Sequence, residues 1–101
     1  MWYVSGRRWI DGDSGPEIAG SSMPHAVSSD GLTWRERETA IMPTVLGEDE
    51  CHDLLCPIEI EGAWHAFFAY RHATGFRDRP GRGYRLGHAA STDLKTWRRS
   101  D

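Results

Sequence analysis

The amino-acid sequence predicts an all-β fold, an antiparallel meander of short strands joined by turns. Two observations lead to this prediction. The segment HAVSSDGLTW (25–34) returns as HAASTDLKTW (88–97), displaced by 63 residues (88 − 25), so the chain contains two copies of one supersecondary unit. Five Trp, three Tyr and three Phe, with eleven Gly to make turns, favour strands in a chain of 101 residues, and no segment shows the helical period.

The first half of the chain predicts three short strands. Aromatic and β-branched residues place these strands at 1–6, 24–29 and 39–46. The intervening segment DGDSGPE (11–17) is polar and holds both Gly and Pro, which predicts a loop. Asp30–Gly31, directly after the second strand, is a strong signal for a hairpin turn.

The second half predicts an acidic loop over 47–53 and three further strands. These strands are expected at 56–60, 64–71 and 83–91, and a turn at 92–95 precedes the last residues. In the first of them Ile58 and Ile60 alternate with Glu59, so we expect the isoleucines to point inward and the glutamate outward. Glu61–Gly62 is expected to turn the chain into the next strand.

One strand is apolar on both of its faces. Residues 64–71 read WHAFFAYR, with Trp64, Phe68 and Tyr70 on one side and Phe67 and Ala69 on the other. A strand with one wet face would alternate apolar and polar residues. Stacked blades of a β-propeller need sheets covered on both faces, so the two copies predict about two blades, residues 1–47 and 48–101. We expect the first blade to lack its inner strand and the second its outer strand.

Two blades cannot close a ring, so we expect the two exposed apolar faces to be covered by a partner molecule. Four strands about 4.8 Å apart and about five residues long give a face on the order of 300 Å². Leaving both faces exposed to water would lose roughly 10 kcal/mol of stabilisation from apolar burial. This loss is comparable with the whole stability of a domain, about 5–15 kcal/mol. The expected partner is the chain itself, as a homo-oligomer: a trimer with six blades or a domain-swapped dimer.

Composition and charge argue against several other partners. Twelve basic and fifteen acidic side chains leave a net charge of −3, without the basic surface of a nucleic-acid-binding protein. No apolar run approaches the roughly 20 residues that span a bilayer, so no membrane partner is expected. The chain opens without a charged and then apolar leader, which favours the cytoplasm, where Cys51 and Cys56 are expected to stay free thiols.

Beyond these patterns, the residues from Glu50 to Asp101 carry a family resemblance. The string AWHAFFAYRHATGFRDRPGRGYRLGHAASTDLKTWRRSD (63–101) is similar to uncharacterised members of the five-bladed β-propellers related to glycoside hydrolase families forty-three and thirty-two. Those members carry a pattern of the type YHMFFCYR, FR, GRGYRIGYA, S-D-L and W-R-D. The first forty residues match more weakly, through MWYVSG and SSDGLTW, and His88 stands where the relatives usually have Tyr.

The resemblance implies a propeller fold and a connection with carbohydrates. The glycosidases among these relatives are much longer than this chain and place carboxylates on inner strands of different blades, around one funnel. The chain therefore resembles an internal piece of such a propeller, which cannot carry the whole catalytic set by itself.

Two carboxylates, Glu50 and Asp53, are the candidate catalytic residues. They precede the strand expected to line the propeller axis, and glycoside hydrolysis needs two carboxyl groups about 5–5.5 Å or about 6.5–9.5 Å apart. One of them would need a raised pKa to act as the acid. The alternative is an acidic, solvated loop without catalytic function.

No metal site and no cofactor are predicted. Cys51, His52, Asp53 and Cys56 form one short cluster, but a zinc site usually draws its four ligands from two spaced pairs. The sequence also holds no GxSxG elbow, P-loop or dinucleotide fingerprint. The histidines at repeat positions, His25 and His88, are expected to pack between sheets.

A long loop rich in Arg and Gly provides the candidate binding residues. Loops on rigid scaffolds often carry binding side chains, and Arg and Asp suit sugar hydroxyls or a carboxylated sugar. The candidates for contact with substrate are Arg71, His72, Asp78, Arg79 and Arg85, with Trp9 or Phe76 as a stacking platform. The alternative is an Arg–Asp network that only orders the loop.

Three functions follow from these observations. The first is a self-assembling, glycan-binding propeller fragment, which the short length favours. The second is a glycosidase-like hydrolase whose active site is completed in the oligomer. The third is a structural remnant that folds and assembles without a ligand, since a fold alone does not establish function.

Overall fold

The computed structural model of the protein describes residues 1–20, 23–37, 42–47 and 49–101. Within these residues the chain is all-β, with antiparallel sheets and no helix, which confirms the predicted class; no helix there is suited to crossing a membrane. The eight strands are β1 (Arg8–Gly12), β2 (Gly15–Ala19), β3 (His25–Val27), β4 (Arg35–Arg37), β5 (Cys51–Ile60), β6 (Ala63–Arg71), β7 (Arg85–Ser91) and β8 (Arg98–Arg99).

The C-terminal half forms one four-stranded sheet in the order β5-β6-β7-β8, each strand antiparallel to the next. Glu61 (φ 52°) and Gly62 (φ 79°) connect the first two strands, and two successive left-handed residues suit the right-handed twist of a hairpin. A β-bulge between Asp53 and Cys56 interrupts the register, with Leu54 at φ 51°.

The N-terminal half is arranged around β3. This strand pairs with β4 on one side, and a bridge between Trp2 and His25 places the first residues of the chain on its other side. The Ala26 amide donates to the Met1 carbonyl at 2.8 Å, and the Tyr3 amide donates to Pro24 at 3.2 Å. The hairpin β1–β2 forms a separate two-stranded sheet.

The strands within each of the two sequence copies pair in the same register. Trp2 opposite His25 corresponds to Phe67 opposite His88, with displacements of 65 (67 − 2) and 63 (88 − 25). The two displacements differ by two because the segment that joins the paired strands is two residues shorter in the second copy. Likewise Ala26 faces Glu36 in β4, as Ala89 faces Arg99 in β8. The repeat is therefore a repeat of strand pairing as well as of sequence.

The turns after the repeated strands are equivalent atom by atom. The Ser28 hydroxyl donates to Asp30 Oδ1 at 2.9 Å, and the Ser91 hydroxyl donates to Asp93 Oδ1 at 3.0 Å. Each aspartate then accepts two further backbone N–H groups, from Leu32 and Thr33 in the first turn and from Lys95 and Thr96 in the second. These bonds hold the backbone in the turn.

The main core lies between the two copies. Its buried members are Met23, Met42, Ala66, Phe68, Tyr70, Ala89 and Trp97. Trp2, on the face of the first copy that also carries His25, packs against this cluster. One face of the N-terminal strands therefore covers the Phe68 face of the C-terminal sheet.

The structure corrects the expected limits of several elements. Residues 11–17 belong to the hairpin β1–β2 rather than to a loop, because Gly15 (φ 133°) lets the chain reverse around Asp13 and Ser14. In the strand expected at 39–46, residues 39–41 lie outside the described residues and 42–46 form no strand. The outer strand expected to be missing from the second copy is present as β8.

Two further expectations about β5 are wrong. The strand begins at Cys51, inside the expected acidic loop, because the bulge lets the chain keep pairing with β6 back to Arg71. Ile58 and Ile60 do not point inward; both side chains are exposed, and no described segment covers that face of the strand.

Candidate functional site

A cleft of about 200 Å³ opens where β5 and β6 meet the N-terminal copy. It is lined by Val4, Gly6, Ile18, Cys51, His52, Asp53, Arg71 and Tyr84. Cys51 lies opposite Arg71 in the register of β5 and β6, and Asp53 lies two residues along β5, so Asp53 and Arg71 project from the same face of the sheet. The cleft therefore combines apolar walls with a carboxylate, a guanidinium and a phenol.

Arg71 is held in a defined orientation. Its Nη1 donates to the carbonyls of His72 at 2.9 Å and Ala73 at 3.3 Å. The guanidinium carbon lies 3.6 Å from the ring centre of Phe76 and 5.4 Å from that of Tyr84, within the range of a cation–π contact. Among the described residues, Nε and Nη2 have no partner, so these donors remain for a ligand.

Asp53 and Tyr84 complete the chemistry of the cleft. Asp53 is half-buried and forms no ion pair within the described part of the chain. Tyr84 directly precedes β7, and its side chain is exposed. A carboxylate accepts hydrogen bonds, and an exposed aromatic ring offers a flat apolar surface with a polar tip.

Glu50 does not line this cleft; it lies in a buried network beneath it. Its Oε2 accepts the backbone N–H groups of Val45 at 2.8 Å and Leu46 at 2.6 Å. Its Oε1 accepts from His52 Nε2 and from Arg99 Nη1, both at 2.6 Å. Arg99 also donates to Asp101, and its guanidinium carbon lies 4.4 Å from the Tyr70 ring centre.

This network shifts the acidity of its members. Burial alone would raise the pKa of Glu50, but the hydrogen bonds from Val45, Leu46, Arg99 and His52 outweigh it and lower that pKa. Burial lowers the pKa of His52, so its imidazole is neutral at pH 7 and donates through Nε2. The Arg99 guanidinium lowers the pKa of Asp101 to about 2.

The remaining predicted binding residues lie apart from the cleft. Arg79 donates to Asp13 of the β1–β2 turn at 2.8 Å, which matches the alternative of a network that orders the loop. Asp78 borders a smaller pocket beside the same turn. Arg85 donates to the Gly81 carbonyl, and Trp9 is exposed on β1. His72 lies near Arg82 and Arg85, and partial burial with these two cations lowers its pKa.

Of the residues that line the cleft, Asp53 and Arg71 are candidates from the sequence, and Tyr84 is not. The signal was available in principle, because a β6–β7 hairpin that pairs Tyr70 with Arg85 places Tyr84 next to Arg71. His52 also lines the cleft, although its sequence context suggested only a metal ligand. No three His, Cys, Asp or Glu side chains of the described ranges lie close enough together to hold a metal.

The repeated histidines stack in both copies. His25 lies on Trp2, with ring centres 5.2 Å apart, and His88 lies on His65 at the same distance. His88 Nε2 is 3.0 Å from His65 Nδ1, and its Nδ1 is 2.6 Å from the Ser100 hydroxyl.

No protein-family model, curated protein or solved structure matches this chain. The likeness to glycoside-hydrolase-related propellers therefore rests on the residues quoted for it above.

Proposed function

We propose that this protein binds a saccharide in the cleft formed by Asp53, Arg71 and Tyr84. The observation that carries the proposal is the juxtaposition of these three groups. Sugar hydroxyls both donate and accept hydrogen bonds, so they suit a carboxylate beside an oriented guanidinium. The C–H faces of a sugar ring are apolar and suit an exposed aromatic ring such as that of Tyr84.

The arrangement of the sheets supports the propeller resemblance on which the choice of ligand depends. A four-stranded antiparallel meander is the unit of a propeller blade, and blades repeat around an axis. Here a second copy, paired in the same register, packs its Trp2 face on the Phe68 face of the meander. Two successive blades of a propeller would combine both features, which supports the resemblance.

Binding is a better-supported function than hydrolysis. Glycoside hydrolysis needs two carboxyl groups on either side of the scissile bond. Among the carboxylates that the structure describes, Asp53 alone lines the cleft, since Glu50 is buried and its two oxygens accept four hydrogen bonds. We therefore propose binding without turnover.

A glycan array covering neutral and uronate-containing sugars tests this proposal, followed by calorimetry with the best ligand. We expect Asp53→Asn and Tyr84→Ala each to weaken binding by at least about tenfold, since each removes a polar or stacking contact worth about 1.4 kcal/mol or more. Asp11→Asn and Trp9→Ala are matched controls on exposed positions of β1 outside the cleft and should bind as the unmodified protein does.

Two results would contradict the proposal. An array without any ligand would leave the protein as a structural remnant. Release of phenol from aryl-glycosides, abolished by Asp53→Asn, would show that the cleft is catalytic rather than a binding site.

A further inference from the structure

One face of the C-terminal sheet is apolar and exposed. Directly paired residues of neighbouring antiparallel strands share a face, and Cys56, Phe67 and His88 form one such row. Leu86 and Ile58 lie on the same face in neighbouring rows. Phe67 is 44% exposed and Leu86 is 74% exposed. We call this surface, made by Cys56, Ile58, Phe67, Leu86 and His88, the open face.

The first copy shows what such a face packs against. In the repeat, Trp2 and His25 correspond to Phe67 and His88 of the open face. Trp2 is packed on the cluster that contains Phe68, and His25 is buried. The same kind of surface is therefore covered in the N-terminal copy and bare in the C-terminal copy.

Large side chains on the opposite face of the N-terminal copy are exposed in a complementary way, although Ala26 between Met1 and Glu36 is buried. Trp34 corresponds to Trp97, yet Trp34 is 43% exposed whereas Trp97 is 4% exposed at the contact between the copies. Met1 corresponds to Ala66, and it is 51% exposed whereas Ala66 is fully buried. We call this surface, which carries Met1, Trp34 and Glu36, the back face.

We infer that the open face of one molecule docks on the back face of a second copy of this chain. The contact repeats between molecules the packing that already joins the two copies within one molecule. Charge supports the pairing: exposed Arg98 lies on the strand that borders the open face, whereas Glu36 of the back face occupies the position of Arg99. This inference does not rest on the proposed saccharide, although the open face and the cleft share one side of the sheet, where Asp53, Ala69 and Leu86 form a single row.

The contact is head-to-tail, because the two docking surfaces differ. Such a heterologous contact closes into a ring when its rotation allows and otherwise extends into a filament. Each face covers only on the order of 300 Å², less than the roughly 800 Å² per partner of a standard interface. Association is therefore expected in the micromolar range and depends on concentration.

The test uses sedimentation equilibrium of the whole chain with one variant for each face. Leu86→Asp places a charge on the open face, and Trp34→Lys places one on the back face. Trp9→Asp is the control, because Trp9 is a similarly exposed large apolar residue on β1, outside both faces. Near-ultraviolet circular dichroism establishes that each variant is folded, and Glu36→Arg replaces Trp34→Lys if the latter unfolds.

We expect the unmodified chain and the control to associate and each face variant to dissociate, with its dissociation constant raised by at least about tenfold. The decisive sample is a mixture of the two face variants. Each still has one intact face, so the mixture forms a one-to-one pair that cannot grow further.

Three results would overturn the inference: an unmodified chain that stays monomeric, a face variant that associates as well as the control, or a mixture that stays monomeric. A second probe uses the native thiols. Cys56 lies on the open face and is exposed, so its alkylation should slow as the concentration rises, and a rate that is independent of concentration would equally overturn the inference.

Discussion

Replacing Glu50 by glutamine should destabilise the fold strongly. The substitution keeps the shape of the side chain but removes its charge. Whichever way the new amide turns, its NH₂ group faces a group that can only donate, either the N–H groups of Val45 and Leu46 or the guanidinium of Arg99. Within the described ranges, the guanidinium of Arg99 then keeps Asp101 as its one anionic partner.

The magnitude follows from the burial of this pair. Removing one partner of a buried ion pair costs about 3–5 kcal/mol when the other charge is left uncompensated, and because Asp101 still pairs with Arg99 we expect the lower end, about 3 kcal/mol. With a urea dependence of about 1–2 kcal/mol per molar for a chain of this size, the unfolding midpoint should fall by about 2 M. The matched control is Glu59→Gln, at an exposed position of β5, which should change the free energy of unfolding by less than about 0.5 kcal/mol.

The pH dependence gives an independent check. Because the pKa of Glu50 is lowered in the folded protein, its carboxylate stabilises the fold above its ordinary pKa, and this contribution is lost as the pH falls through the lowered value. The difference in stability between the unmodified protein and Glu50→Gln should therefore narrow in acid. A Glu50→Gln variant within about 1 kcal/mol of the unmodified protein at pH 7 would refute the structural role of the network.

Three further predictions concern packing, turns and acid stability. In Gly87→Ala the new Cβ would lie 2.4–2.8 Å from three ring carbons of Phe68, so we expect a loss of about 1–3 kcal/mol in thermal unfolding. Gly83→Ala meets its nearest atom only at 3.4 Å and serves as the control; equal losses for the two variants would contradict the packing. Asp30→Ala and Asp93→Ala each remove equivalent turn bonds and should each lower the melting temperature by several degrees, by similar amounts. A loss confined to one of the two turns would show that the copies are not equivalent. Since the pKa of Asp101 is about 2, its stabilising contribution is present above its ordinary value of 3.8 and is lost between that value and about 2. Melting curves of the unmodified protein and Asp101→Asn should therefore converge below pH 2, and a constant separation would contradict the ion pair with Arg99.

Features carried by local pattern were predictable from the sequence. The constant displacement between His25 and His88 predicted the repeat. In the structure these two histidines occupy equivalent positions in the strand pairing of their own copies. Glu61–Gly62 predicted a hairpin because glycine readily adopts the left-handed backbone that Gly62 has in this turn. Asp30–Gly31 likewise predicted a turn, which Asp30 holds by accepting the backbone N–H groups of Leu32 and Thr33.

Features that depend on long-range contacts were not predictable. Glu50 reads as one member of an acidic run, and its burial depends on Arg99, which lies 49 residues away in the sequence. Residues 11–17 read as a polar loop, because Gly and Pro mark a tight hairpin and an open loop equally well. The candidate site was only partly predictable for the same reason, because Arg71 and Tyr84 come together only once β6 and β7 have paired.

The most direct measurement of the central claim, that this chain is built from stackable copies with unlike outer surfaces, is the mass of the dissolved protein against concentration. Sedimentation equilibrium should give a mass that rises from that of the 11.4 kDa chain to a multiple of it. A particle of 11.4 kDa at every concentration up to the millimolar range would contradict the account.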